Sequence, residues 1–245
     1  MSENVRVLIS EPLSPRAEEI LARAEGFEVI NKPGLPREEL LELVTECDAL
    51  LVRSATKVDE EVLGAGGRLK VVARAGIGVD NVDLATASLK GILVINAPDG
   101  NIITTAEHTI AMMFSLARKI PSAVHSVRGG LWERSKFVGS ELYSKVLGVV
   151  GLGRVGSTVA RLATGLEMNV IAYDPFISGE AAEKRGVKPV SLDELLEQSD
   201  YVTLHVPKTP ETAGLIGAAE IAKMRRGARI INCARGGLLD EAAAA

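Results

Sequence analysis

Cysteine is scarce in this 245-residue chain, which carries only two. Cys47 and Cys233 stand far apart, with no C-x-x-C pair and no histidine at ligand spacing, so neither a metal site nor a disulfide framework is expected. A reducing compartment, and therefore a cytoplasmic protein, fits that pattern. Charge of one sign is equally lacking. The 28 Lys+Arg and 32 Asp+Glu leave a net charge of −4, and there is no basic block, which argues against nucleic acid or a membrane surface as a partner. No apolar run approaches the ~20 residues that a bilayer requires, and the start, Met1-Ser2-Glu3-Asn4-Val5-Arg6, is polar. Internal repeats and low-complexity tracts are missing too, apart from the closing Ala242–Ala245.

What is present is a globular composition, 47% apolar and 24% charged, in a length that allows one large or two ordinary domains. Short apolar runs recur through the first hundred residues: 5–9, 27–30, 49–52, 69–73 and 92–95. Helical patterns alternate with them. One opens at Ser14-Pro15, an N-cap followed by proline at the first helical position, and others cover residues 36–47 and 58–63. Strands written as continuous apolar runs predict a parallel sheet covered on both faces. Residues 1–98 are therefore expected to form one α/β domain. Polar residues collect where its strands end, at Arg53-Ser54 and at Arg74-Ala75-Gly76-Ile77-Gly78-Val79-Asp80. The carboxyl edge of a parallel sheet is where ligands bind, although arginines and glycine turns are also ordinary at loop starts.

Thr104-Thr105-Ala106-Glu107 reads as a capping box opening a helix to about residue 120, where Pro121 should stop it. Its body is apolar nearly all round, which predicts burial between domains or subunits. His108, on the first turn, reads as structural rather than catalytic. Residues 128–141 form a polar connection carrying the only tryptophan, Trp132, with Arg134 and Lys136 nearby, either a surface loop or part of a dimer contact.

The sharpest motif follows. An apolar run from Val146 ends in Gly151-Leu152-Gly153-Arg154-Val155-Gly156, a helical pattern succeeds it, and a second run, Val170-Ile171-Ala172-Tyr173, ends at Asp174. Glycine turn, helix and an acid roughly 20 residues on are the dinucleotide-binding order. The turn lets backbone N–H groups approach a pyrophosphate at the positive end of a helix. Val155, Val159, Leu162, Ala163 and Leu166 share one face of that helix, and Gly165 is placed to cap it. Asp174 is suited to the two ribose hydroxyls and repels a 2′-phosphate, which favours NAD over NADP. The competing reading is a plain βαβ unit with a solvated aspartate. Further strands are expected over 187–190 and 201–206 and in the run from Arg229 that ends in Arg235-Gly236-Gly237, with a helix over 191–199. Their ends carry His205-Val206-Pro207 and Cys233-Ala234-Arg235 on the same edge as the glycine turn, with Arg235 as the cation at the far end of a bound cofactor. From position alone His205 is the first acid/base candidate, although a lone histidine at a strand end is more often structural. Five strands are counted from Val146 onward, one short of the six of a complete nucleotide domain.

Taken together, Val52-Arg53-Ser54-Ala55-Thr56, the stretch from Arg74 to Asp83, Asn96-Ala97-Pro98 with Asn101, the glycine turn, Tyr173-Asp174-Pro175, His205-Val206-Pro207 and Ile231 to Gly237 resemble the D-isomer-specific 2-hydroxyacid dehydrogenases. The resemblance covers essentially the whole chain. It implies an α/β fold of two doubly wound parallel sheets, a flavodoxin-like substrate domain over 1–98 and a Rossmann NAD domain over 99–245. The Trp132-Glu133-Arg134 and Phe137-Val138-Gly139 segments are similar to the branch acting on D-3-phosphoglycerate. That implies oxidation of its 2-hydroxyl by NAD to 3-phosphooxypyruvate, the first committed step of serine synthesis, in a homodimer joined through the nucleotide domain by residues 105–120 and the Trp132 segment.

By the same resemblance Arg235 is the catalytic residue that holds the substrate carboxylate, a task for a planar bidentate cation. Arg53, Ser54, Gly76, Ile77, Gly78 and Asn101 line the substrate pocket, Arg53 meeting the phosphate with Arg134 as a second candidate. Ile77, Gly151, Gly153, Arg154, Val155, Gly156, Asp174, His205, Val206, Pro207, Cys233, Ala234 and Arg235 touch the cofactor, and no metal is implied. The family's acid/base is a histidine paired with a glutamate, both expected beyond residue 245, as is a segment returning to complete the first domain. His205 corresponds to a cofactor contact and is withdrawn as a catalyst. The chain is accordingly expected to be a truncated form with little turnover. Two other readings are an enzyme of the family acting on glyoxylate, hydroxypyruvate or D-lactate, and a non-catalytic NAD-sensing protein of the corepressor type.

Overall fold

The computed structural model describes residues 4–245. The chain separates into two compact units, one ending at Asn101 and the other running Ile102–Ala245. The first contains β1 (Val5–Ile9), α1 (Pro15–Ala22), β2 (Phe27–Asn31), α2 (Arg37–Val44), β3 (Ala49–Val52), α3 (Glu60–Ala65), β4 (Val71–Arg74), α4 (Leu84–Leu89) and β5 (Leu93–Asn96). The second contains α5 (Ile102–Arg118), α6 (Ile120–Arg128), a one-turn 3-10 helix (Arg134–Phe137), β6 (Val146–Val150), α7 (Arg154–Gly165), β7 (Asn169–Tyr173), α8 (Gly179–Glu183), β8 (Lys188–Pro189), α9 (Leu192–Gln198), β9 (Tyr201–Leu204), α10 (Ala218–Lys223), β10 (Arg229–Asn232) and α11 (Glu241–Ala244).

Each unit is built on a five-stranded parallel sheet, ordered β2-β1-β3-β4-β5 in the first and β10-β9-β6-β7-β8 in the second. Both orders reverse at one point, and in open α/β sheets the crevice at that reversal, at the carboxyl ends of the strands, receives ligands. In the second sheet the alternation of side chains sorts the core into two layers. Leu147, Val149, Val170, Ala172 and Tyr201 pack with Met113 of α5 and Val159 and Ala163 of α7. Val150, Ile171, Val202 and Leu204 pack on the other side with Leu195 and Leu196 of α9. Gly148 of β6 lies under α9, where a Cβ would fall 2.3 Å from Ser199 Oγ and 2.4 Å from Leu195 Cδ2.

The first sheet is less evenly covered. Leu8, Leu50, Val52 and Val72 are sealed under α2, α3 and α4 by Leu40, Val44, Val62, Leu63 and Ala87. Coverage on both faces fails at β5, where Leu93 is 58% and Ile95 46% exposed.

Local caps explain several boundaries. Ser14 accepts the Ala17 N–H at the start of α1, and Ser191 with Glu194 forms a capping box on α9. Pro121 does not end helical structure. Lys119, at φ 53°, breaks the helix and Pro121 occupies the first turn of α6, a position where proline's missing N–H costs nothing. Nor do residues 104–107 open α5, which begins at Ile102. Its burial is one-sided as well: Ala106, Thr109, Met113 and Ala117 are buried, whereas Met112, Phe114 and Leu116 are exposed. Gly165 is the last residue of α7 rather than its cap, and Glu167 takes the positive φ, 60°. The strand expected over 187–190 shrinks to the two-residue β8, which contains Pro189. Among the described residues, no helix is long and apolar enough to cross a membrane.

Candidate functional site

At the end of β6 the chain turns immediately. Gly151 has φ +92°, and a Cβ on it would lie 2.8 Å from both His205 O and Val206 Cγ1. Only glycine allows this combination of left-handed backbone and close approach. One turn into α7, a Cβ on Gly156 would sit 1.9 Å from Gly151 O, so the helix starts flush against the loop. Gly153 is the N-cap of α7, with open space where a Cβ would be. The first-turn N–H groups of α7 and its dipole give the Gly153–Arg154 end of the helix the positive character that suits an anion.

Asp174 follows β7 directly. Its Oδ2 accepts the Leu152 N–H at 2.7 Å and its Oδ1 the Phe176 N–H at 2.9 Å. Each oxygen retains capacity for another donor, which is what two ribose hydroxyls require. Beside it a cavity of about 570 Å³ is lined by Leu152, Gly153, Arg154, Arg161, Ile177 and Arg185. Arg185 stiffens the turn from behind, donating to Leu152 O at 2.6 Å and Ser157 Oγ at 3.0 Å.

The ends of β9 and β10 extend the same edge. His205 N–H donates to Val150 O at 2.8 Å, and its ring Nε2 lies 2.9 Å from Thr203 Oγ1. Burial pushes the imidazole down to about 4, so the ring is neutral at pH 7. After β10, Asn232 folds the chain over itself. Its Oδ1 accepts the N–H groups of Ala234 (3.1 Å) and Arg235 (3.3 Å), and its Nδ2 donates to Arg235 O at 2.7 Å. The Arg235 guanidinium donates to Ala234 O at 2.9 Å and lines a cavity of about 530 Å³ with His108, Asn232, Cys233, Gly236 and Glu241. Gly151, Gly153, Asp174, His205, Val206, Pro207, Cys233, Ala234 and Arg235 thus belong to loops at one sheet edge, and Arg154, Val155 and Gly156 to the first turn of α7 that starts there. Arg134 does not join them. It lies exposed on the 3-10 helix and makes no hydrogen bond or ion pair among the described residues.

In the first unit, the loops after β3 and β4 meet. Arg74 Nε donates to Arg53 O at 3.3 Å, and Asn81 Nδ2 donates to Arg53 O (2.9 Å) and Thr56 O (2.7 Å). Gly76 makes room for this, since a Cβ there would strike Arg74 Nη1 at 2.2 Å. Asn96 Nδ2 holds Ile77 O at 2.6 Å. Arg53, Ser54, Gly76, Ile77 and Gly78 therefore share one edge of this unit, and Asn101 is its last residue. Two residues escaped sequence reading: Glu241 on the Arg235 cavity, and Glu11, whose carboxylate carries the Arg53 loop; His108, read from sequence as structural, also lines that cavity. Their partners lie far along the chain, so no local motif marks them.

Residues 110–245 match the family described as D-isomer specific 2-hydroxyacid dehydrogenase, NAD binding domain. This chain belongs to that family. It is 54% identical over 239 residues to D-3-phosphoglycerate dehydrogenase of Archaeoglobus fulgidus, covering 98% of this chain and 45% of that protein. The chain thus spans less than half the length of this curated relative. Among solved structures, the NAD⁺-bound 3-phosphoglycerate dehydrogenase of Entamoeba histolytica aligns with a TM-score of 0.82 and 33% identity, over 98% of this chain and 75% of that one. A glyoxylate reductase from Paecilomyes thermophila aligns at 0.87 and 31%, over 100% and 77%. NAD is the cofactor of this family domain, and the residues present fit it: a glycine turn that a single Cβ would fill, a helix N-terminus for the pyrophosphate, and Asp174 for the ribose.

Proposed function

We propose that this chain is the dehydrogenase portion of an enzyme oxidising the 2-hydroxyl of D-3-phosphoglycerate to 3-phosphooxypyruvate, in the service of serine synthesis. Bound NAD supplies the hydride acceptor. The observation that carries the reading is the Arg235 loop, pinned by Asn232 on the sheet edge that bears the glycine turn. There a planar guanidinium can grip a carboxylate with two parallel hydrogen bonds. Identity of 54% to a protein named for this reaction supports the choice of substrate. Arg53 and Ser54 are assigned to the phosphate, with Arg134 as a further candidate, and Gly76, Ile77, Gly78 and Asn101 to the walls around the substrate.

Removing hydride from the 2-carbon also requires a base for the hydroxyl proton. His205 is unsuited to this, being half-buried, neutral and tied to Thr203. His125 lies exposed on α6. His108 lines the Arg235 cavity and is the histidine to vary. We assign proton transfer to none of the three, so the isolated 245 residues bind both ligands with little turnover. The reading extends to a homodimer joined through the nucleotide unit by exposed apolar residues of α5, α6 and the segment after them, including Phe114, Val124, Val127 and Trp132.

The test is calorimetric titration of D-3-phosphoglycerate, glyoxylate and D-lactate into the NAD-saturated chain, alongside an assay of NADH formation. Binding of phosphoglycerate in preference to the other acids, without turnover, is expected. Preference for glyoxylate would overturn the substrate assignment. NADH formation would overturn the expectation of little turnover, and its abolition by His108→Gln would make that histidine the base.

A further inference from the structure

Glu11 follows β1 and is 7% exposed. Its Oε1 accepts the N–H groups of Arg53 at 2.7 Å and Thr56 at 2.9 Å, and its Oε2 accepts that of Ala55 at 3.0 Å. Burial raises a carboxyl pKa, but here the backbone amides of Thr56, Ala55 and Arg53, with help from the Thr56 side chain, outweigh it, and Glu11 is held below the ordinary range. The group is charged. Three backbone N–H groups converging on one anion form a nest of the kind that binds phosphate elsewhere. In this protein the occupant is an internal carboxylate.

The far side of the loop is fixed as well. Asn81 holds the carbonyls of Arg53 and Thr56, and Ser10 Oγ lies 3.0 Å from Thr56 Oγ1. Of residues 53–56, only Ser54 keeps an N–H outside the grip of Glu11. Neither that N–H nor the Ser54 hydroxyl makes a hydrogen bond among the described residues, and both Ser54 and Arg53 are exposed. The loop thus turns three amides inward onto a carboxylate and leaves an amide, a hydroxyl and a guanidinium at the surface. Such a set suits a phosphate monoester, which offers several acceptor oxygens and a double charge.

We propose that Glu11 is a positioning residue: its carboxylate holds Arg53 and Ser54 as an anion-binding loop that takes the phosphate of the substrate. The inference rests on the reading above, in which this loop meets D-3-phosphoglycerate. It adds a residue that never touches the ligand.

Glu11→Gln keeps the length of the side chain but exchanges one acceptor oxygen for an NH₂ group that would face an N–H. The 245-residue chain, Glu11→Gln, Glu11→Asp, Arg53→Ala and the Glu11→Gln/Arg53→Ala pair are titrated with D-3-phosphoglycerate at saturating NAD, and each is titrated separately with NAD. Glu11→Gln should weaken phosphoglycerate binding about tenfold or more, the scale of a lost charged hydrogen bond, and leave NAD affinity within about twofold. Glu11→Asp, too short to span all three amides, should fall between. The double variant should bind little worse than Arg53→Ala, since both act through one loop. Amide exchange at Ala55 and Thr56 should accelerate in Glu11→Gln while that of β7 stays unchanged. Phosphoglycerate binding by Glu11→Gln within about twofold of the unaltered chain overturns the proposal, as does an equal loss of NAD affinity, which would mark general damage to the fold. An unaltered chain that binds NAD but no D-3-phosphoglycerate overturns the substrate reading and this inference together, which separates the two failures.

Discussion

The carboxylate of Asp174 accepts the backbone N–H of Leu152 at 2.7 Å, so the acid that ends β7 is fastened to the glycine turn that ends β6. Its position is set by the loop it serves, and a second bond, from Phe176 N–H, stops it rotating away.

Asp174→Asn should therefore weaken NAD binding by about 1.5–3 kcal/mol, the range for hydrogen bonds to a charged group, or roughly 10- to 100-fold. NADP should lose less, because the charge that repels a 2′-phosphate is gone. Parallel titrations with the two cofactors check this, and an unchanged ratio of their dissociation constants would count against the assignment.

Gly156→Ala and Gly153→Ala make a matched pair. The first puts a methyl group 1.9 Å from Gly151 O, whereas the second places one in open space. Gly156→Ala should cost about 1–3 kcal/mol of stability through overpacking and lower NAD affinity with it. Gly153→Ala should cost no more than about 1 kcal/mol, the scale of a weakened N-cap. Urea denaturation of both variants, read together with NAD titration, separates the two effects.

His205 should make stability depend on acidity. Its folded pKa, about 4, lies below the ordinary 6.5, so the unfolded chain binds the additional proton. The resulting contribution is fully present above 6.5 and is lost as pH falls from 6.5 towards 4. At about 1.4 kcal/mol per unit its upper bound is about 3.5 kcal/mol, less what water screens at a half-buried strand end. His205→Gln should flatten the urea midpoint between pH 7 and pH 5. An identical slope in the variant would assign the dependence to other groups.

Asn232→Ala removes two acceptor contacts and one donor contact from the Arg235 loop. A loss of about 1–2 kcal/mol in stability is expected from the unpaired groups, with about tenfold weaker D-3-phosphoglycerate binding at saturating NAD. Asn232→Asp, which keeps the acceptors, should recover part of the affinity. A phosphoglycerate dissociation constant that does not move in Asn232→Ala would remove the loop from the substrate site.

The parts of this molecule that were legible beforehand share a physical property: their partners are close in sequence. The glycine turn, α7 and Asp174 fall within one βαβ unit, and each glycine answers a backbone requirement that no other residue meets. The α5–α6 boundary was misjudged because proline is as compatible with a helix start as with a helix stop, and the choice fell to Lys119 in a left-handed conformation. The short helices α4, α8 and α10 run for 6, 5 and 6 residues, fewer than two turns each, too short for a helical period to show. Glu11 was invisible for another reason. The amides it binds are 42 to 45 positions away and belong to the backbone, which has no signature in the side-chain sequence. His108 and Glu241 reach the Arg235 cavity from helices at opposite ends of their unit.

Gly148 sits in the middle of β6, where any Cβ would strike Ser199 Oγ or the Leu195 side chain. Leu195 and Ser199 stand one helical turn apart and straddle the strand where it has no side chain. A protrusion seated on such a gap resists sliding in both directions along the strand axis, because either shift drives it into a neighbouring residue. Opening and closing motions of the nucleotide unit should therefore carry β6 and α9 together as a single block, with deformation confined to the connections at the sheet edges. The turn at Gly151 then inherits the stiffness of the strand behind it, and cofactor arrival and departure are left to the loops that surround it.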